Sequence, residues 1–256
     1  MIPKTIHYCW FGRGEFSPEI KMCIDSWKRY CPEYKINEWN EDNSPMHIPW
    51  IRDAYKHGRY AFVADYVRFY ALHKEGGIYM DTDMLLRNNL DELLSHKFFV
   101  GRQDELSVGF GIIGSIASYN LLNTFLNYYD SHKFEIISPP IITHVADVLL
   151  RKYGFQEKDA FQELKDGIIL YPVECFYPIH YTEEFELHDI EKYCTENTIG
   201  VHLWNKTWKS EFTYLAEENY SMGFKLTLNR IKKTPFLPFR YYMKLFKYTL
   251  YYIFKK

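Results

Sequence analysis

Hydrophobic and polar positions in the first hundred residues alternate between strand-like and helix-like spacing. Thr5 to Trp10 is a β-rich run that ends in a glycine-containing turn, Phe11-Gly12-Arg13-Gly14. Ser17-Pro18 follows, a capping residue with proline at the first helical position. Ile20, Ile24 and Trp27 then recur at i, i+4 and i+7 and form one apolar helical stripe. Tyr34 to Trp39 is a second short strand, so the order strand, helix, strand predicts an α/β unit on a parallel sheet. Tyr60 to Lys74 holds no Gly or Pro and reads as a largely buried helix, closed by Gly76-Gly77. Ile78-Tyr79-Met80 opens a strand expected to run through Asp81-Thr82-Asp83 to Leu85-Leu86. Further strands are expected at Phe98 to Gly101 and Val108 to Ser115, with helices over 118–130 and 141–153. Residues 154–210 are irregular in pattern, and 239–256 reads as one helix.

Composition adjusts this picture in three places. A chain of 256 residues with 47% hydrophobic content can bury a full core, as one domain with an elaborated edge or a tail. The 19% aromatic content adds candidate stacking surfaces for sugars or bases, although most such rings simply pack. A net charge of −2 speaks against a nucleic-acid partner, and the five scattered cysteines read as free thiols rather than a disulfide framework or zinc site. No apolar stretch follows a charged start and none approaches the length of a membrane span. The expected location is therefore cytoplasmic.

The last 38 residues differ from the rest: from Asn219 to Lys256 there are nine Lys or Arg, no Asp or Glu, and many interleaved aromatics. The expected division is a catalytic domain over 1–218 and a basic aromatic segment over 219–256. Two readings of that segment stand open. One is a packed C-terminal helix; the other is an in-plane anchor on an anionic membrane surface, which makes the protein peripheral on its cytoplasmic face.

The candidate chemistry centres on Asp81 and Asp83. Two converging carboxylates repel unless a divalent cation sits between them and a phosphate-bearing ligand. A cation there neutralises the charge that develops on a departing nucleoside diphosphate. The triplet also stands at a strand end, where open α/β sheets bind ligands. Just upstream, Asp65 and Arg68 lie at i, i+3 within the apolar helix and need partners. They read as a mutual ion pair, or as contacts to sugar hydroxyls and diphosphate. His7 reads as a satisfied core histidine.

Four ordered blocks together are specific: Ile2 to Gly12 (IPKTIHYCWFG), Cys23 to Lys28 (CIDSWK), Ala61 to Phe69 (AFVADYVRF) and Gly76 to Asp83 (GGIYMDTD). They resemble the DXD-containing glycosyltransferase family 32, which includes yeast initiating mannosyltransferase-like proteins and bacterial capsule and lipopolysaccharide sugar transferases. The blocks are distantly similar to the large clostridial glucosylating toxins. The resemblance is dense over residues 2–115 and thin afterwards. It implies a GT-A fold, a mostly parallel sheet flanked by helices, and a divalent metal, Mn2+ before Mg2+. It also implies transfer from a nucleotide sugar with retention, giving an α-linkage. Trp10 matches the aromatic that stacks on the donor base, Asp65 and Arg68 the donor-binding acid and base, and Asp81 and Asp83 the metal and diphosphate motif. The segment His202-Leu203-Trp204-Asn205-Lys206-Thr207-Trp208 is similar to the family's H-x-W-x-x-[ST]-W stretch, with His202 as third metal ligand and Trp208 closing over the donor. Asn205-Lys206 departs from the small residues common there, and Ser138-Pro139-Pro140 stands where relatives carry Gly-Pro.

The function expected is a retaining hexosyltransferase in surface polysaccharide synthesis. Its donor is a nucleotide sugar (UDP in preference to GDP), its acceptor a glycan or lipid-linked glycan, and its catalytic residues Asp81, Asp83 and Arg68. The competing readings are a transferase acting on protein hydroxyls, a D-x-D phosphohydrolase, and a nucleotide-sugar-binding protein without turnover.

Overall fold

The computed structural model describes residues 1–137, 139, 142–205, 209–234 and 236–255. Ser17 caps the first helix as its sequence predicts, its side chain accepting the Ile20 N–H ahead of Pro18. The chain runs β1 (Thr5–Cys9), α1 (Pro18–Tyr30), β2 (Lys35–Trp39), α2 (Pro49–Lys56), α3 (Tyr60–Glu75), β3 (Gly77–Met80), β4 (Met84–Leu86), β5 (Phe98–Arg102) and β6 (Val108–Ser115). It continues through α4 (Asn120–Ser131), α5 (Ile142–Leu150), β7 (Gln162–Glu163), β8 (Ile168–Tyr171) and α6 (Val173–Phe176). After β9 (Gly200–His202) come α7 (Glu211–Ala216), α8 (Tyr220–Lys233) and α9 (Phe239–Lys255).

Seven strands form one sheet in the order β2-β1-β3-β6-β5-β8-β7. β1 is parallel to β2 and β3, and β5 is parallel to β8, while β6 and β7 run against their neighbours. Five of the seven strands therefore share one direction. The pleat sends alternate side chains to opposite faces. Ile6, Tyr8, Ile78 and Met80 join a core with α1, while Cys9 and Tyr79 join another with α2, α3 and α4. The sheet is thus flanked by helices on both faces, the α/β arrangement expected.

One expectation needs correction. No continuous strand runs from Ile78 to Leu86: β3 ends at Met80, and Asp81 to Asp83 form a turn in which the Met84 N–H bonds the Asp81 carbonyl. β4 leaves the main sheet and pairs antiparallel with β9. The turn, rather than strand alternation, brings the two carboxylates together. The C-terminal segment, left open between a packed helix and a membrane-surface anchor, packs on the domain along one side of its last helix. Leu237 and Tyr241 are buried in the main core and Tyr241 is fully enclosed, while Phe239, Met243, Phe246, Ile253 and Phe254 on α9 are exposed. No helix among the described residues is long and apolar enough to cross a membrane.

His7 is the satisfied core histidine expected. It is fully buried, with Nδ1 accepting from the Trp39 indole and Nε2 bonded to the Gly76 carbonyl. All five cysteines are free.

Candidate active site

Three strand ends converge where β3 stops. Parallel β1 delivers Cys9 and Trp10 beside it, and antiparallel β6 begins there, so the Asp81 N–H bonds the Gly111 carbonyl. The β4–β9 pairing sets His202 opposite Met84, and the Leu203 N–H bonds the Asp83 carbonyl. A histidine over a hundred residues downstream is thereby brought against the Asp81–Asp83 turn. Gly111 permits this approach, since a Cβ there would stand 2.7 Å from the His202 ring.

His202 Nε2 lies 3.3 Å from Asp83 Oδ1 and 3.6 Å from Asp81 Oδ2. Ligand atoms of the three residues fall within 4.8 Å of one another. Around an octahedral divalent ion with bonds near 2.1 Å, neighbouring ligand atoms sit about 3 Å apart. His202 stands near that spacing from each acid, at 3.3 and 3.6 Å. Electrostatics agree: burial opposes a charge on His202, yet Asp83 and Asp81 outweigh it and raise the imidazole to about 9. The two carboxylates thus create a field that holds positive charge.

Each acid is oriented by other groups. Asp83 Oδ2 accepts the Asn205 N–H at 2.8 Å. Asp81 Oδ1 accepts from the Tyr79 hydroxyl at 2.8 Å and lies 3.5 Å from the Arg68 guanidinium. Burial alone would raise the Asp81 carboxyl, but Arg68, His202 and Tyr79 together hold it down near about 2. Arg68 is itself buried, donating to the Phe110 carbonyl at 2.6 Å and to Asp65 Oδ1 at 2.9 Å, with its guanidinium over the Tyr79 ring. Burial pushes Asp65 up to about 7 against the pull of Arg68. Asp65 and Arg68 are therefore an ion pair and also part of the Asp81 constellation.

These groups and Trp10 line one cleft of about 1120 Å³. Trp10 donates to the Gly14 carbonyl and meets Phe16 edge-on at 4.7 Å, which fixes its indole at the cleft. Trp208 lies outside the described residues, as does part of the 138–140 segment. Sequence reasoning overlooked Tyr79, Tyr177 and the backbone of Asn205. Tyr79 was open to discovery, two residues before Asp81. Tyr177 carried no signal, and only the fold brings its hydroxyl to the Gly111 N–H at 2.9 Å.

Residues 17–100 match the glycosyltransferase sugar-binding region containing the DXD motif, and residues 115–224 match the alpha 1,4-glycosyltransferase conserved region. The chain is 32% identical over 202 residues to inositol phosphoceramide mannosyltransferase 2 of Schizosaccharomyces pombe, covering 63% of this chain and 56% of that protein. It is 28% identical to a mannosyl phosphorylinositol ceramide synthase of Saccharomyces cerevisiae over 52% of this chain and 37% of the relative. It is 26% identical to lactosylceramide 4-alpha-galactosyltransferase of Rattus norvegicus over 60% and 42% respectively. The chain thus spans from about a third to just over half the length of these relatives. Among solved structures, the glycosyltransferase GlyE of Streptococcus pneumoniae aligns with a TM-score of 0.46 at 11% identity, over 83% of this chain and 56% of that one. Two successive stretches of this chain, residues 17–100 and 115–224, thus match the DXD-containing glycosyltransferase region and the alpha 1,4-glycosyltransferase region.

Proposed function

We propose that the chain transfers a hexose from a nucleotide sugar (UDP-linked in preference to GDP-linked) to a glycan or lipid-linked glycan, with retention of configuration, in surface polysaccharide or glycolipid synthesis. The observation that carries this reading is the convergence of Asp81, Asp83 and His202 in a cleft that Trp10, Asp65 and Arg68 also line. Asp81, Asp83 and His202 would hold a divalent cation. The carboxylates suit magnesium or manganese and the imidazole favours a transition ion, so manganese satisfies both. Such a cation supplies charge neutralisation for the leaving diphosphate.

The chain's own residues do the rest. Trp10 stacks on the donor base, and Asp65 receives ribose or sugar hydroxyls. Arg68 orients Asp81 and adds positive potential behind it. The bond from the sugar C1 to the diphosphate breaks as the acceptor oxygen bonds C1 on the same face, and the acceptor proton leaves with the diphosphate. Trp208 would close over the donor. The relatives named as ceramide-linked sugar transferases support a lipid-linked acceptor, and the exposed aromatic and basic face of α9 supports a peripheral seat on the cytoplasmic leaflet.

The test is donor hydrolysis by the purified chain with manganese, across UDP- and GDP-sugars. Expected is nucleotide release from one donor, abolished by chelator. If no nucleotide binds in a metal-dependent way by calorimetry, the reading fails.

A further inference from the structure

β6 is irregular where His202 approaches it. Val100 on β5 pairs with Ile113, but the next residue, Gly101, pairs with Gly109, so β6 bulges across residues 110–112. Gly111 is thereby left out of the β5 ladder. Its carbonyl accepts the Asp81 N–H at 2.8 Å, and its own N–H donates to the Tyr177 hydroxyl at 2.9 Å. One residue of the bulge thus links the DXD turn to Tyr177, which stands where α6 ends.

Tyr177 is buried and lines the cleft. Its ring centre lies 5.5 Å from that of His202 and 5.6 Å from that of Trp204, and Trp204 meets His202 edge-on at 4.3 Å. Two aromatic rings therefore hold the imidazole, and β6 makes room for both His202 and Tyr177. A Cβ on Gly109 would stand 2.4 Å from the Tyr177 ring, and one on Gly111 would stand 2.7 Å from the His202 ring. Trp204 is fixed in turn by its indole N–H, which donates to the Ile179 carbonyl at 2.7 Å. Its backbone φ is 53°, which a bulky residue adopts only where its surroundings impose it.

A metal-ligating histidine ordinarily has its plane set by a hydrogen bond from its second ring nitrogen to a carboxylate or carbonyl. His202 Nδ1 is buried and has no such partner among the described residues. A ring free to turn about its Cβ–Cγ bond would carry Nε2 out of line with Asp81 and Asp83. Packing has to supply the orientation that a hydrogen bond supplies elsewhere.

We infer that Tyr177 is a positioning residue of the cation site. Its ring, with that of Trp204, fixes the His202 imidazole with Nε2 toward the two acids, and its hydroxyl anchors that ring to the β6 bulge that also holds Asp81. The inference rests on the reading of Asp81, Asp83 and His202 as holders of a divalent cation.

The experiment follows manganese binding to the full chain by loss of the free-ion paramagnetic resonance signal, with UDP present in one series and GDP in another. Tyr177→Leu should weaken binding about tenfold or more, the scale of losing a group that orients a metal-ligating histidine. His202→Ala should weaken it at least as much. The double variant should bind no more than about twofold more weakly than His202→Ala alone, because Tyr177 acts through that ring. Magnesium binding should change less than manganese binding in Tyr177→Leu, since imidazole favours transition ions. Tyr177→Phe, which keeps the ring, should retain most of the affinity. Phe176→Leu is the control for packing alone, because Phe176 is fully buried against Phe99 and Tyr171 and does not line the cleft. It should lower Tm and leave manganese affinity within about twofold. Tyr177→Leu binding manganese as the wild type does, or losing as much affinity with His202 absent as with it present, overturns the inference and leaves the transferase reading intact. Where Tyr177→Leu does not fold, Trp204→Phe, which loses the Ile179 bond, carries the same cycle to the same two outcomes. A wild type that binds no manganese in either series removes the transferase reading as well.

Discussion

The protein holds two buried clusters of charge, and they are built in opposite ways. Around Glu211, which is 1% exposed, every carboxylate oxygen is met: Oε2 accepts from Arg59 at 3.0 Å, and Oε1 from Arg230 at 3.2 Å and Tyr241 at 2.7 Å. The cluster ties α7, α8 and α9 to the residue preceding α3, and none of these residues lines the cleft of the DXD turn. The Asp81–Asp83–His202 cluster instead puts two acids side by side, leaves His202 Nδ1 buried without a partner among the described residues, and faces a cleft. Buried charge by itself does not mark a functional site. What separates the two is the balance of charge and the setting: one carboxylate is met by two arginines and a tyrosine around Glu211, although Arg59 Nε also has no partner among the described residues, whereas two acids stand side by side at the cleft in the second.

That contrast can be broken in several ways. The largest effect falls on activity. Asp83→Ala should lower donor hydrolysis and transfer by at least about a thousandfold, the scale of losing a group that stabilises transition-state charge. Its melting temperature should move by only a few degrees, because relief of the repulsion with Asp81 offsets the lost contacts to His202 and the Asn205 N–H. Full activity with a large loss of stability would invert the comparison. Glu211→Gln should do the reverse. Breaking a buried pair costs about 3–5 kcal/mol, or roughly ten degrees in Tm for a chain of this size, while the folded fraction keeps its donor KM.

The next effect is in pH. Burial alone would raise the Glu211 carboxyl, but Arg59, Arg230 and Tyr241 hold it below its usual value. A depressed folded pKa contributes stability above the unfolded value of about 4.3, and that contribution is lost as pH falls through the folded value. Urea midpoints should therefore drop below about pH 4 in the wild type, with a shallower slope in Glu211→Gln. An equal slope in both would remove Glu211 from the account.

The smallest effect concerns α9. Deleting this helix would strip Tyr241 from Glu211, so a membrane test needs a change on the outer face alone. Phe246→Ser should weaken flotation with anionic vesicles about fivefold or more, on the scale of removing one exposed aromatic from the interface, with no change in Tm. Unchanged flotation would leave α9 as a packed helix only.

Much of the first hundred residues was legible because its signals are local. The Ser17-Pro18 cap, the Ile20/Ile24/Trp27 stripe and the Gly76 stop, with φ of 67°, each declare a boundary within a few residues. Asp81 and Asp83 were readable from the motif, and His202 from its resemblance to a family segment. The strand drawn through Asp81 to Leu86 was misplaced, because apolar residues on both sides of the triplet hide a turn that only hydrogen bonding reveals. α7 and α8, the Glu211 cluster and Tyr177 were missed for a related reason, since their partners lie far away in sequence. Arg59 and Glu211 are separated by 152 positions.

The sequence by itself determined the α/β order and the likeness to the DXD-containing glycosyltransferases, since caps, periodicity and contiguous motifs act over a few residues. Only the tertiary structure decided that β4 leaves the sheet to pair with β9. That pairing sets His202 against Asp83 and brings Trp204 to the cleft lining. Such long-range pairing depends on which surfaces can be buried together once the chain has folded, and no local window of the sequence carries that information.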